Sequence, residues 1–293
     1  MLIDIHTHVN LPATVTRPDG TTFCTPEQLI AKLDEAGIDM AVLLPLVSPE
    51  HRCRCVGPEE VLDVAAQYPD RFIPFCNLDP RMVNNTPVAD LMPLLEWYKA
   101  AGCKGVGEIT ANMPFDDPMV WNMLGQCAQA EMPVIFHVGP RAGGCYGLID
   151  DLGLPRLEKT LAQFPDLKLI GHSQPFWSQI SADVTEEMRN GYPKGKVIPG
   201  RVVELMRRYP NLYGDLSAGS GHNAVSRDPE FGYAFMEEFQ DRLFFGTDIC
   251  APHNQTPLVD FLNDAGRTGK ISAEAYEKIS WRNADRVLGL GLK

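Results

Sequence analysis

The chain has no apolar run long enough to span a bilayer. Its longest uninterrupted one, Met40 to Leu44, is five residues, against about 20 for a membrane helix. No Cys-x-x-Cys pair occurs, so neither a zinc ribbon nor a thioredoxin-like motif is supported. Eight cysteines in 293 residues are too few for a disulfide scaffold. Cys53 and Cys55, in His51-Arg52-Cys53-Arg54-Cys55, read as reduced thiols, with a site role left open. Positive charge is scarce: Lys plus Arg is 26 against 38 Asp plus Glu, a formal charge of −12. Such a chain repels phosphate backbones, which disfavours nucleic acid as a partner. The opening Met-Leu-Ile-Asp-Ile-His has no basic n-region, so no secretory leader is expected. Together these absences predict a cytoplasmic protein with a small-molecule substrate and no membrane partner. They leave a homo-oligomer open.

Short β-rich apolar runs recur along the chain. They are Leu2–Ile5, Met40–Leu46, Phe72–Cys76, Gly105–Ile109, Pro133–Val138, Leu167–Ile170, Leu212–Leu216 and Leu243–Phe245. Each is continuous rather than alternating, as for strands buried on both faces of a parallel sheet. Helical patterns fill the gaps. Thr25-Pro26-Glu27 supplies an N-cap, a Pro at N1 and a first-turn acid, and Gly37 stops that helix. In Tyr68-Pro69, Phe164-Pro165 and Tyr209-Pro210 an aromatic ends a helix and Pro forbids its continuation. Eight strands alternating with helices predict one domain, 1–293, folded as an α/β (β/α)₈ TIM barrel. A doubly wound sheet is the structural alternative. It usually carries Gly-x-Gly-x-x-Gly after its first strand, where this chain has His6-Thr7-His8. The long interval after the sixth strand, Ser173–Pro199, reads as a surface insertion above the barrel mouth.

All seven histidines, His6, His8, His51, His137, His172, His222 and His253, fall on this map at strand C-termini or in the loops just after them. That is the face on which barrels build active sites. Residues i and i+2 of a strand share a side, so His6 and His8 both face the barrel axis and supply half of a divalent metal site. His137 arrives on the fifth strand, His172 on the sixth and Asp248 at the end of the eighth.

This set, Asp4-x-His6-x-His8, His137, His172 and Gly246-Thr247-Asp248, resembles the amidohydrolase superfamily. The resemblance is greatest to its amidohydrolase-2 branch, which includes aminocarboxymuconate semialdehyde decarboxylase-like enzymes. The resemblance implies one divalent metal, most often zinc, on His6, His8, His137 and Asp248, with His172 as a catalytic histidine. It also singles out Glu108, at the end of the fourth strand, where two-metal members carry a bridging carboxylate. There a second metal would take His137 and His172. One metal per chain is the favoured expectation, because three or four protein ligands suffice for catalytic zinc.

The resemblance implies hydrolysis of an amide, ester or lactone. Water activated by the metal attacks the carbonyl, Asp248 takes the proton, and His172 stabilises the oxyanion. The same groups serve a zinc-dependent non-oxidative decarboxylase, where Asp248 or His172 protonates the carbanion. A catalytically silent metal- or ligand-binding barrel is the third reading. Arg52, Arg54 and Arg141 near the mouth suit a carboxylate-bearing substrate. Trp177 and His222 are further candidates to touch it, with Trp177 reading equally as the buried anchor of the insertion, and Asp215 could support the site from behind.

Protein purified without chelator is expected to carry close to one equivalent of divalent metal by elemental analysis. The double variant His6→Ala, His8→Ala should lose it, and unchanged content would place the site elsewhere.

Overall fold

The computed structural model describes residues 1–11, 20–51 and 56–292. Arg52, Cys53, Arg54 and Cys55 therefore lie outside the described residues. The barrel strands are β1 Ile3–Thr7, β2 Met40–Leu43, β3 Phe72–Pro74, β4 Val106–Ile109, β5 Val134–Gly139, β6 Leu169–His172, β7 Leu212–Asp215 and β8 Leu243–Phe244. Helices separate them in strict alternation, and six begin on a proline: Pro26, Pro58, Pro118, Pro155, Pro229 and Pro257. Proline suits that position because its missing N–H has no intrahelical partner there and its φ is already helical. The first helix, Pro26–Ala36, keeps its expected limits. Thr25 and Gln28 form a capping box, and Gly37 ends the helix at φ 69°, a left-handed cap that glycine adopts without strain.

All pairings between neighbouring barrel strands are parallel. β1–β3 form one run and β4–β8 another. Parallel bridges Cys76–Val106 and Thr7–Ile249 join the two runs at both seams, so the eight strands close into the expected barrel. A two-residue strand, Leu148–Ile149, pairs with the end of β5. The interior is filled by Ile3, Ile5, Leu44, Phe75, Ile135 and Ile170 among others, all essentially inaccessible. A separate, larger apolar layer packs the strands against the helices.

Two irregularities matter for the site. The β1–β2 register shifts between Asp4 and Thr7, and the β4–β5 register shifts between Val106 and Ile109. An extra residue in a ladder re-aims the side chains beyond it. Strict alternation would set Ile5 and His6 on opposite sides. The shift in β1 keeps Ile5 in the barrel core and still brings His6 and His8 together.

The insertion after β6 departs from expectation. Its first part, a helical turn Gln174–Trp177 and a 3₁₀ turn Ser178–Ile180, is buried. Gly171 admits the Phe176 ring directly onto β6, in space a Cβ would occupy. Trp177 is 1% exposed, and its Nε1 donates to the Asp215 carbonyl at 2.7 Å. Of the two readings of Trp177, substrate contact and buried anchor of the insertion, the structure gives the second: the indole is a core anchor, held there by apolar packing and one buried hydrogen bond. Only the later part behaves as a surface excursion, closed at its base by an antiparallel bridge between Ser181 and Pro199.

Trp177→Ala should lower unfolding free energy by about 3–5 kcal/mol, read as a lower urea midpoint at unchanged slope. A pocket-wall role would instead weaken ligand binding without that loss.

Candidate metal centre

The strand ends deliver His6 and His8 from β1, Glu108 from β4, His137 from β5, His172 from β6, Asp215 from β7 and Asp248 from just after β8. His6, His8, Glu108, His172 and Asp215 are buried. The Asp248 side chain retains 28% exposure and so reaches the pocket.

The tautomers of the first two histidines follow from their partners. His6 Nδ1 lies 2.7 Å from Asp215 Oδ2, and His8 Nδ1 lies 2.9 Å from the Leu44 carbonyl. Both partners only accept, so both Nδ1 atoms donate. The two Nε2 atoms then face each other at 3.1 Å. Each stands 3.6 Å from Glu108 Oε2, and they stand 3.7 and 3.6 Å from Asp248 Oδ1. Two lone pairs at that separation repel unless positive charge sits between them. Burial alone would lower the pKa of His6, but Asp215, Asp248 and Glu108 outweigh it and hold it well above the ordinary imidazole value. Burial and the His6 charge push His8 down. Burial opposes ionisation of Glu108 and Asp215, yet His6 and its neighbours hold both carboxylates well below their usual range. The cluster is thus built around one cationic centre, which a proton or a metal can supply. For tetrahedral zinc with bonds of ~2.0–2.2 Å, the ligand edges are ~3.3–3.6 Å. The separations of 3.1–3.7 Å among these four donors fit a divalent cation.

Glu108 has a second side. Its Oε1 lies 2.7 Å from His137 Nδ1 and 3.9 Å from His172 Nε2. His6 and His8 group with Asp248, and His137 groups with Glu108 and His172, which is the division expected of a two-metal site, because the Glu108 carboxylate stands beside the first pair and holds the β5 ring on its far side. Asp215 proves more central than expected. Its Oδ2 meets His6 Nδ1, accepts from Ser217 Oγ at 2.9 Å and lies 3.2 Å from His172 Nδ1. Ser217 Oγ is also 3.0 Å from His172 Nδ1. The partners of Nδ1 orient the ring so that Nε2 faces Asp248 Oδ2 at 3.8 Å.

Asp4 is a brace. It accepts from the His6 and Thr247 backbone N–H groups at 3.0 Å and from the Thr247 hydroxyl. Burial, partly offset by these bonds, raises its pKa to about 7. The brace fixes the turn in which Asp248 takes φ 58°, a left-handed conformation that Asp tolerates better than most residues.

Other expectations are revised. His222 lies within the helix Ala218–Ser226, half-buried, its ring 5.9 Å from Phe261. It packs between helices and does not line the pocket. Arg141 is exposed, and its carbonyl accepts from Asn112. It too is outside the described lining. Residues that the sequence did not single out do line it: Phe23, Leu46, Tyr146 and Cys250. Tyr146 packs on the His137 ring at 4.6 Å. Apolar and aromatic residues in loops carry no periodic signal, so only the closed fold reveals them.

The family model described as Amidohydrolase (Amidohydro_2) matches residues 3–290. No curated protein sequence matches the chain significantly. Solved structures do. An uncharacterized TIM-barrel protein from Bordetella bronchiseptica is 21% identical, with TM-score 0.66 and 98% of each chain covered. A dihydroxybenzoic acid decarboxylase from Polaromonas sp., with bound manganese and the inhibitor 2-nitroresorcinol, is 17% identical, with TM-score 0.61. There 100% of this chain and 98% of the other are covered. A probable 2-pyrone-4,6-dicarboxylic acid hydrolase from Acinetobacter baumannii, with citric acid bound, is also 17% identical, with TM-score 0.58. That match covers 98% of this chain and 99% of the other.

Asp215→Asn presents a donor where His6 Nδ1 needs an acceptor. It should weaken metal affinity by about 10–100-fold, measured by competition with a chelator in protein that still folds. Unchanged affinity would show that Asp215 does not support the metal.

Proposed function

The chain belongs to the amidohydrolase family, and from that premise we propose that it is a metal-dependent hydrolase of a small carboxylate-bearing substrate. The reaction would cleave an amide, ester or lactone. The observation that carries this reading is the pair at the pocket floor: Asp248, partly exposed, stands 3.8 Å from the fixed Nε2 of His172. A proton acceptor and a hydrogen-bonding imidazole thus sit side by side, as attack by water on a carbonyl requires. His6, His8, Glu108 and Asp248 would hold the metal, with zinc as the expected ion and one per chain. When bound, the metal supplies Lewis-acid polarisation of a substrate oxygen. Asp248 takes the proton of the attacking water and passes it to the leaving group. His172, whose Nδ1 is oriented by Ser217 and Asp215, would as the imidazolium donate a hydrogen bond from Nε2 to the carbonyl oxygen as it becomes negative. The hydrolase name of the Acinetobacter relative accords with this reading.

Decarboxylation is the second reading, and a specific observation favours it. The same pair serves it, since Asp248 and the Nε2 of His172, 3.8 Å apart at the pocket floor, are placed to deliver a proton to a carbon that loses CO₂. The Polaromonas relative is named a decarboxylase. In this case the C–CO₂ bond breaks, its electron pair stays on carbon, and Asp248 or His172 protonates that carbon. The two faces of Glu108 likewise leave room for a second ion on His137 and His172. A stoichiometry near two would select that arrangement.

A panel of small carboxylic acids, esters, amides and lactones should separate the reactions. Hydrolysis is expected to yield a new carboxylate without CO₂, whereas CO₂ release would select the decarboxylase. His172→Gln should slow turnover by about 10²–10⁴-fold while metal content stays unchanged.

A further inference from the structure

We propose that Asn77 is a positioning residue for the Glu108 carboxylate, acting from the seam between β3 and β4. This deepens the function proposed above and rests on its metal set of His6, His8, Glu108 and Asp248. Glu108 serves two contacts at once. Its Oε2 lies 3.6 Å from both Nε2 atoms of the β1 histidines, and its Oε1 lies 2.7 Å from His137 Nδ1. A displacement of about 0.5 Å would degrade both. Yet the strand pairing around Glu108 is irregular. The β4–β5 register shifts between Val106 and Ile109, and Glu108 falls inside that stretch. Among the described residues, the last backbone bond across the β3–β4 seam runs from Gly107 N to the Cys76 carbonyl at 2.9 Å. It stops one residue short of Glu108.

Asn77 takes over at that point. It is 1% exposed, and its Nδ2 donates to the Pro45 carbonyl beyond β2 and to the Glu108 carbonyl, each at 2.6 Å. Both neighbours are carbonyls and only accept, so the amide nitrogen must face them. Its two N–H groups stand in for ladder bonds on either side of β3. They continue the backbone bonds Phe75 N to Leu43 O and Gly107 N to Cys76 O. One of them holds the backbone from which the Glu108 carboxylate projects. On the other side of β4, Gly107 lets β5 come close, since a Cβ there would lie 2.5 Å from the Ile135 carbonyl. Glu108 is thus confined between β5 and the Asn77 amide. The arrangement has a cost. Asn77 Oδ1 is buried and has no hydrogen-bond partner among the described residues, which is unfavourable for an amide oxygen. An apolar residue of the same shape would remove that oxygen but leave two carbonyls without their donor. The cost falls where the ladder ends and a metal donor has to be fixed.

The test measures zinc and cobalt(II) affinity of the full chain by competition with a chelator, with the visible spectrum of bound cobalt as the record of its ligand geometry. Asn77→Leu keeps the shape and removes both donors. It should weaken both metals about tenfold or more and change the cobalt spectrum. Asn77→Ser and Asn77→Ala differ by one hydroxyl donor, so the serine variant should bind metal more tightly than the alanine variant. That pair carries the same comparison if Asn77→Leu does not fold. The effect has to pass through Glu108. In a Glu108→Gln background, Asn77→Leu, or Asn77→Ala in its place, should weaken metal further by less than about twofold. An equal loss in both backgrounds marks a general loosening of the barrel and would overturn the assignment of Asn77 alone. So would affinity and spectrum unchanged in the variants. A wild-type chain that binds neither metal would instead overturn the metal-dependent reading, and the role of Asn77 with it.

Discussion

The site depends on the concentration of negative charge around one buried imidazole. Asp215, Glu108 and Asp248 all lie within 3.7 Å of a His6 nitrogen. Three carboxylates cannot be gathered in a low-dielectric interior without compensation, because each loses its hydration. The compensation is positive charge at the point where the Nε2 atoms of His6 and His8 meet. Much else in the upper barrel serves that point. Leu44 and Asp215 fix the tautomers, Asp4 fixes the turn carrying Asp248, and Ser217 orients His172.

The fold makes this arrangement sustainable by dividing labour along the strands. The lower barrel is a dry layer of Ile3, Ile5, Phe75, Ile135 and Ile170, and all the polar chemistry is at the C-terminal ends. Closure at both seams gives every strand two neighbours, so no edge is left to fray or aggregate. The donors come from strands far apart in sequence, and a rigid ring holds them more firmly than loops could. Apolar burial in the layer below and outside the barrel offsets the strain and desolvation concentrated at the mouth.

Asp215 shows how one atom can couple two tasks. Its Oδ2 contacts the Nδ1 atoms of both His6 and His172. One ring belongs to the donor set and the other stands beside Asp248. A shift of that carboxylate would disturb metal affinity and proton handling together. The Trp177 indole, which donates to the Asp215 carbonyl, anchors the strand end from the helix side. The buried start of the insertion therefore supports the site from behind rather than walling the pocket.

The strand order, the alternating helices with their proline starts, and the histidines at strand ends could be read from local pattern. Periodicity, caps and turn residues are encoded within a few positions of where they act. His6, His8, His172 and Asp248 were visible for the same reason: polar residues ending apolar strands stand out. The grouping of the donors was decided only by tertiary structure. The register shifts in β1 and β4 arise from how neighbouring strands pair, and they set Glu108 beside His6 and His8 and leave His137 on its other side. His222, near a strand end in sequence, falls in a helix because the chain turns helical at Ala218 and packs its ring against Phe261. Trp177 lies in an insertion that reads as a surface excursion but is drawn into the core by the gap at Gly214 and the carbonyl of Asp215. Local sequence fixes what each residue can do. Which residues meet is fixed by long-range packing, whose partners here lie as far apart as Asp4 and Thr247.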